Sequence, residues 1–247
     1  MSDVVVEAKP ASPWRPERIP CAGALPQAFI HPQAICESDR IGGGTRIWAF
    51  AHVMPGAAVG SECNIGSHCF IESGANVGDR VTIKNGVMVW EGVRIGDDCF
   101  VGPGVLFTND RHPRSPRMPE AADRYSQKGN WLLKTTVGRG ASIGAGAILL
   151  PGISIGAYAS VGAGAVVTDG VAAHRIVVGH PARPVGWACI CGLPLRDTLQ
   201  CSDCAQQYEF RGHQLSLAGS SASGTPAPSN RSTPLRPPLV RGEGGCL

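Results

Sequence analysis

The chain has 247 residues, of which 43% are hydrophobic and 17% charged, and its formal net charge is +3. That length allows one sizeable domain with appendages, and so small a charge gives no reason to expect nucleic acid or an anionic membrane as a partner. No apolar run reaches the roughly 18 residues that cross a bilayer, and the opening MSDVVVEAKPASPW lacks the basic stretch and apolar core of a secretory leader. A cytoplasmic protein with reduced thiols is expected.

Residues 1–28 are proline-rich and aperiodic and read as a flexible lead-in. From residue 29 onward an aliphatic anchor returns at every sixth position: Ile35, Ile41, Ile47, Val53, Val59, Ile65, Ile71, Val77, Ile83, Val89, Ile95, Val101 and then Phe107. That period is neither helical nor a plain strand alternation. It is a hexapeptide repeat and predicts a parallel β-helix, three hexads to a triangular coil. Val53, Ile71 and Val89 should then stack on one face at about 4.8 Å. Four residues after each anchor comes a small or branched residue, such as Ala51, Ala57, Cys63 and Cys69, expected to share the narrow interior. Glycine follows many anchors, as at Gly42, Gly66 and Gly102, at corners where a tight turn can demand φ > 0.

Residues 108–136 break the register with proline, charge and aromatics. An insertion this long in a regular solenoid is a natural place for function. The anchors resume at Val137, Ile143, Leu149, Ile155, Val161 and Val167, and the coils should finish near 170, with VVGHPARPVGW leaving the β-helix. The β-helix domain is thus placed at 29–187, a cysteine module at 188–215, and a Ser/Pro/Gly-rich tail at 216–247 that reads as disordered.

Ten cysteines need an account in a reducing compartment. Cys63, Cys69 and Cys99 fall in the small inward slot and read as buried apolar thiols. Cys189, Cys191, Cys201 and Cys204 are spaced C-x-C, nine residues, C-x-x-C, which suits tetrahedral zinc. Four ligands leave no open position, so such a zinc is structural and supplies much of the stability of a module too small for its own core. The expected fold class is all-β: a parallel β-helix with an inserted loop and a small, zinc-ribbon-like C-terminal module.

Three segments go beyond a generic repeat: RIWAFAHVMPGA (46–57), IKNGVMVWEGVRIGDDCFVGPGVLFTNDRHPRS (83–115) and the stretch from GASIGAG to PVGW (140–187). Over about residues 29–187 they resemble the nucleotide-sugar N-acetyltransferases of the left-handed β-helix class. VGAGAVVT and GHPAR are shared by many hexapeptide acyltransferases. The combination of KNGV, W-E-G, FTND and PRS is similar to enzymes that acetylate the 3-amino group of UDP-2-acetamido-3-amino-2,3-dideoxy-glucuronate. Ala49, where those enzymes usually carry His, and Trp90, where they often carry Tyr, look more like relatives acting on dTDP-3-amino-3,6-dideoxyhexoses. The Lys84-Asn85-Gly86 string and the cysteine module look like the glucuronate side. The resemblance implies a left-handed coil, acetyl transfer from acetyl-CoA to a sugar amine with the UDP-glucuronate favoured and the dTDP-sugar as alternative, and a homotrimer with sites between subunits. It also implies a setting in bacterial surface-polysaccharide synthesis, such as lipopolysaccharide O-antigen.

This chemistry needs a neutral amine aimed at the thioester, donors for the oxyanion and a long groove for CoA. Asn85 lies two residues past Ile83, off the inward register. Its carboxamide oxygen could aim the amine, as the matching Asn does in the glucuronate enzymes, or it could stabilise a corner. The other substrate-site candidates are His52, Lys84, Trp90, Glu91, Asn109, Asp110 and Arg114. Arg114 suits a phosphate or a sugar carboxylate, Trp90 a base, a sugar or a corner, and Asn109 and Asp110 could fix the loop. His112 is a candidate general base, although the departing thiolate can take the proton. For CoA the small residues Gly144, Ala145, Gly162 and Ala163 admit close approach to the backbone, and Arg183 could meet phosphates.

Three rivals remain. A hexapeptide carbonic anhydrase needs three His at one site, but His52 and His68 sit at different offsets, and no suitable third His shares their coils. A serine O-acetyltransferase would show a catalytic His in a recognisable place. A non-catalytic scaffold would not bind acetyl-CoA.

Overall fold

The computed structural model describes residues 26–196, 199–212 and 214–218. Of the lead-in over 1–28, residues 1–25 lie outside the described residues, as does the tail from 219; Ser216 and Leu217, placed in the tail from the sequence, instead pair in a strand with Tyr208 and Glu209. Each hexad contributes a two-residue strand, one side chain outward and the anchor inward, and then a four-residue corner whose last residue turns inward again. Three parallel sheets result. The first face stacks Arg46–Ile47, Asn64–Ile65, Thr82–Ile83, Phe100–Val101, Ser142–Ile143 and Ser160–Val161. The second stacks His52–Val53, Phe70–Ile71, Met88–Val89, Leu106–Phe107, Ile148–Leu149 and Val166–Val167. The third stacks Ala58–Val59, Asn76–Val77, Val93–Ile95, Thr135–Val137 and Ser154–Ile155. The expected stack of Val53, Ile71 and Val89 is present. The anchors from Ile47 onward and the residues four after them make one continuous buried core. Cys63, Cys69 and Cys99 are inside it, each thiol donating to a carbonyl of the following coil at 3.0–3.1 Å.

The first coil is one residue out of step with the sequence reading. Ile35 pairs with His52 and Cys36 with Val53, so Cys36 turns inward and Ile35 is 57% exposed. The step from Cys36 to Ile41 is five positions instead of six, which shifts the earlier register.

The glycines also serve a different purpose from the one expected. Those that follow an anchor have no positive φ. A Cβ on Gly102 would lie 2.6 Å from the backbone nitrogen of Ala145, so glycine is required there because the next coil passes against it. Positive φ falls three residues after the anchor, on Gly104 (66°) and Gly146 (65°) but also on Phe50, Arg80, Asp98 and Tyr158.

The solenoid continues past 170. Val171 bridges Ile155, and Arg175–Val178 adds a rung to Ser160–Val161. Arg183–Ala188 then folds back antiparallel on that rung, and Pro194–Leu195 on Arg183–Ala188. These strands cover a sheet edge that would otherwise expose unpaired backbone groups. The inserted loop leaves after Phe107, carries one short helix at Ala122–Tyr125 between two 3-10 turns, and rejoins at Thr135. The cysteine module ends in a hairpin, Tyr208–Arg211 with Gln214–Leu217, around a separate core of Cys189, Cys201, Tyr208 and Leu215.

Candidate active site and metal centre

The corner between the first and second faces carries Lys84 and Asn85, both exposed. The Asn85 Oδ1 accepts the Ser67 N–H at 3.2 Å. Asp79 and Asp97, also two residues past their anchors, do the same on the third corner for Ser61 (2.7 Å) and Asp79 (2.9 Å). Asn85 therefore ties two coils, the corner role considered from the sequence. A carbonyl oxygen has two lone pairs, so one is left for an amine. Above Asn85 the same corner holds Pro103, Ala145 and Ala163, one per coil, joined by Gly104 N–H to Asn85 O, Gly146 N–H to Pro103 O and Gly164 N–H to Ala145 O at 2.8–3.0 Å. A side chain on Gly86, Gly104, Gly146 or Gly164 would meet nothing within 4 Å. The candidate cofactor residues Gly144, Ala145, Gly162 and Ala163 thus belong to one bare strip that starts at Asn85. Below it, Phe50 and His68 are stacked at 4.9 Å.

Arg183 lies on the strand that caps the end of the solenoid, paired with Val178. Val166 donates to Gly179 O (3.0 Å) and Ala182 donates to Val166 O (2.8 Å), which lays residues 179–182 over the last second-face rung. Arg183 is exposed and lines a cavity of about 150 Å3 with Val167, Asp169 and Val177.

The remaining candidates gather at the corner between the second and third faces. Trp90 leans on Phe70 (5.5 Å) and packs against the core. Glu91 takes the Lys128 ammonium at 2.6 Å, and its carbonyl takes Asn109 Nδ2 at 3.3 Å. Leu133 N–H closes the loop base on Asn109 O at 2.9 Å. Asp110 accepts the Tyr125 hydroxyl (2.7 Å), the His112 N–H (2.9 Å) and Arg124 Nη2. Burial pushes its carboxyl up, but the bonds from Tyr125, His112 and Arg124 together hold it below the usual carboxylate range. Asp110 is thus the hub that shapes the loop. Arg114 and His112 are exposed on that loop, and the Arg114 N–H donates to the Tyr125 hydroxyl at 2.8 Å. His52 points outward from the second face, paired with Glu37 at 2.8 Å and edge-on to Phe70.

The candidates therefore fall into two groups along opposite edges of the second face. The six-residue step from Asn85 to Glu91 spans on the order of 20 Å of backbone. Within one chain no hydrogen bond, ion pair or ring contact among the described residues joins Asn85 to the loop. Sequence reasoning missed Arg124, Tyr125 and Lys128, whose partners Asp110 and Glu91 lie 14, 15 and 37 positions away with no periodicity to flag them.

The sulfurs of Cys189, Cys191, Cys201 and Cys204 lie within 4.8 Å of one another. Cys189 and Cys204 are 3.4 Å apart, and Cys191 and Cys201 3.5 Å, far beyond a disulfide bond of about 2.05 Å. A tetrahedral zinc with bonds of about 2.3 Å sets its sulfurs about 3.8 Å apart, so the donor set fits that ion. The backbone amides of Cys204 and Asp203 lead in pulling the Cys201 thiol down to about 6. Against the pull of the Leu193 amide, burial and the neighbouring thiols push Cys191 up to about 12, and Cys204 is raised as well: four sulfurs this close share their protons until a cation takes their place. In the β-helix, burial pushes Cys99 up to about 11 and raises Cys63 and Cys69, which with their enclosure in the core marks those thiols as inert. Among the described residues the four module cysteines are the one such donor group. His52 and His68 face different directions, without the ligand set of an anhydrase.

A profile described as bacterial transferase hexapeptide (six repeats) matches residues 40–73, 74–109 and 134–169. The dTDP-3-amino-3,6-dideoxy-alpha-D-galactopyranose 3-N-acetyltransferase of Aneurinibacillus thermoaerophilus is 44% identical over 184 residues, 74% of this chain and 91% of its own. A variant of GDP-perosamine N-acetyltransferase from Caulobacter crescentus, solved with CoA and GDP-perosamine, is 26% identical with a TM-score of 0.42, covering 66% of this chain and 58% of that one. The acetyltransferase domain of PglB from Neisseria gonorrhoeae with acetyl coenzyme A is 21% identical with a TM-score of 0.39, covering 65% and 55%. The chain thus spans little more than half the length of these two solved proteins.

Proposed function

This chain belongs to the hexapeptide-repeat family of nucleotide-sugar N-acetyltransferases, and from that premise we propose that it moves the acetyl group of acetyl-CoA onto the 3-amino group of a dTDP-linked 3-amino-3,6-dideoxyhexose. The observation that carries the choice of sugar is the 44% identity to an enzyme of that named activity along 91% of its length. Ala49 and Trp90 point the same way. The UDP-linked glucuronate, favoured from the sequence, becomes the second reading. Lys84-Asn85-Gly86 and the cysteine module support it.

In this mechanism the amine lone pair attacks the thioester carbonyl carbon. The tetrahedral oxyanion collapses, the C–S bond breaks, and the CoA sulfur leaves and takes the proton released by the amine. Asn85 accepts an amine N–H on its free lone pair and so aims the nucleophile. The extended thioester arm lies along the strip from Gly86 to Gly164, with Arg183 toward its phosphates.

The two groups of site residues are completed by neighbouring copies of the chain. The outward row of the second face is apolar over most of its length, through Phe70, Met88, Leu106, Ile148 and Val166, with Ile35 and His52 at its start. A face of that kind suits burial against other copies. In a homotrimer of left-handed coils, the loop of one subunit reaches the Asn85 corner of the next. The cysteine module holds one structural zinc. The proposed setting is the cytoplasm, on precursors of a surface polysaccharide; no described helix is long and apolar enough to cross a membrane.

The test is thiol release from acetyl-CoA with each of the two nucleotide sugars. Turnover with the dTDP-linked sugar alone is expected. Turnover with the UDP-linked glucuronate alone replaces the first reading by the second. CoA binding without turnover of either sugar removes both acceptors but keeps acyl transfer.

A further inference from the structure

Acetyl transfer makes no use of the third corner, where a column of side chains runs into the cysteine module. Tyr158 and His174 occupy the same corner position in successive coils, each three residues past an anchor and each at positive φ, 57° and 61°. Their rings are stacked at 5.2 Å. His174 is buried, 7% exposed. Its Nδ1–H donates to Ala188 O at 2.9 Å, and its carbonyl accepts the Ala188 N–H at 2.7 Å. The other side of its ring meets the ring of Tyr208 at 5.4 Å, edge to face. The buried Tyr208 hydroxyl donates to the Cys189 sulfur at 3.1 Å and accepts the Ile190 N–H at 2.8 Å.

We propose that Tyr208 is the outer hydrogen-bond donor of the metal centre, and that through Tyr208 and His174 metal binding locks the last coil of the β-helix. This rests on the reading of the four thiols as a metal site. A metal-bound thiolate carries negative charge, so the Tyr208 O–H bond to it is charge-assisted and fixes the ring. The fixed ring in turn covers His174. Without metal, the module's buried core of Cys189, Cys201, Tyr208 and Leu215 is too small to hold the hairpin. Tyr208 is then released, His174 loses one of its two ring contacts, and Arg183–Ala188 loosens from the rung it covers. Coupling of this kind is reciprocal: bound metal steadies the last coil by the same free energy by which the folded coil steadies bound metal, so a change at His174, which touches no sulfur, should also weaken metal binding.

The experiment is hydrogen exchange on the full chain, zinc-loaded and after chelator, with metal content measured first. Stripping is expected to speed exchange at least tenfold over 172–188 and 206–217 and to leave 46–107 unchanged. Tyr208→Phe should keep one metal per chain but lose about 10–100-fold in chelator competition. His174→Asn, a residue tolerated at positive φ, should also lose affinity, several-fold. Unchanged exchange over 172–188 on stripping overturns the lock, as does wild-type metal affinity in both variants. A chain that takes up neither zinc nor cobalt overturns the metal reading itself, and the stoichiometry identifies that failure before any exchange is read.

Discussion

Three residues past the anchor, the first and third corners adopt one backbone geometry and fill it in opposite ways. The third corner places Glu62, Arg80, Asp98, Tyr158 and His174 there, all at positive φ, with glycine only at Gly44 and Gly140. Asp98 is bridged by Arg80 at 2.6 Å and by Arg139 at 2.8 Å, and the two rings above it stack. Each non-glycine residue in that conformation costs roughly 1–2 kcal/mol, offset by ties between coils. The first corner begins in the same way with Phe50 and His68, then turns to Gly86, Gly104, Gly146 and Gly164, whose added side chains would meet open space. It forgoes the ties and keeps a flat surface. One edge of the prism is a spine and the other, bare at most of these positions, is the one proposed to take CoA.

The contrast can be broken most severely at the glycine that follows its anchor in the bare corner itself. Gly102→Ala places a Cβ 2.6 Å from the Ala145 nitrogen, where only backbone could yield. A loss of more than about 3 kcal/mol is expected in denaturant unfolding. Asn85→Ala acts on the chemistry at the foot of the strip. The transfer rate should fall about 100-fold with acetyl-CoA affinity unchanged by calorimetry, while the lost bond to Ser67 lowers stability by about 1 kcal/mol. Full activity in this variant removes Asn85 from the site. Gly146→Asn sharpens the comparison, since Asn tolerates positive φ and its side chain would stand on the strip. The KM for acetyl-CoA should rise about tenfold, a difference of about 1.4 kcal/mol, with little change in Tm.

The smallest effect belongs to the spine's charges. Hydrogen bonds from Arg80, then Arg139, and their charges hold the Asp98 carboxyl below its ordinary range. A depressed pKa contributes stability above the unfolded value of about 3.9 and loses it as pH falls through the folded value. The Tm gap between the protein and Asp98→Asn should therefore be constant near neutrality and close as pH drops below about 4. A gap that persists in acid would assign the effect to packing instead.

Much of the solenoid was legible because its physics is periodic. An inward slot every sixth residue leaves its mark on the sequence whatever the neighbours do, and the stack of Val53, Ile71 and Val89 could be placed from the sequence alone. Ile35 misled because its spacing fits while the inward turn belongs to Cys36. The role of Gly102 was misread because a clash with the next coil and a positive φ both select glycine, and sequence alone does not separate them. The site was legible residue by residue but not as a constellation. Asn85 and the loop lie on different edges, and the hub at Asp110 depends on partners with no fixed spacing. The four cysteines announced themselves by spacing, whereas Tyr208 is one aromatic in a hairpin until its hydroxyl is found on Cys189.

The bare corner has a metrical consequence. Its coils are spaced by backbone bonds from Asn85 to Gly104, Pro103 to Gly146 and Ala145 to Gly164, so the edge is a ruler graduated in steps of about 4.8 Å, with Asn85 at its zero mark. A reactive arm laid along it is gauged for length. Acyl chains longer by one or two carbons overrun the mark, and an asparagine moved from 85 to 103 would read the same arm one division short.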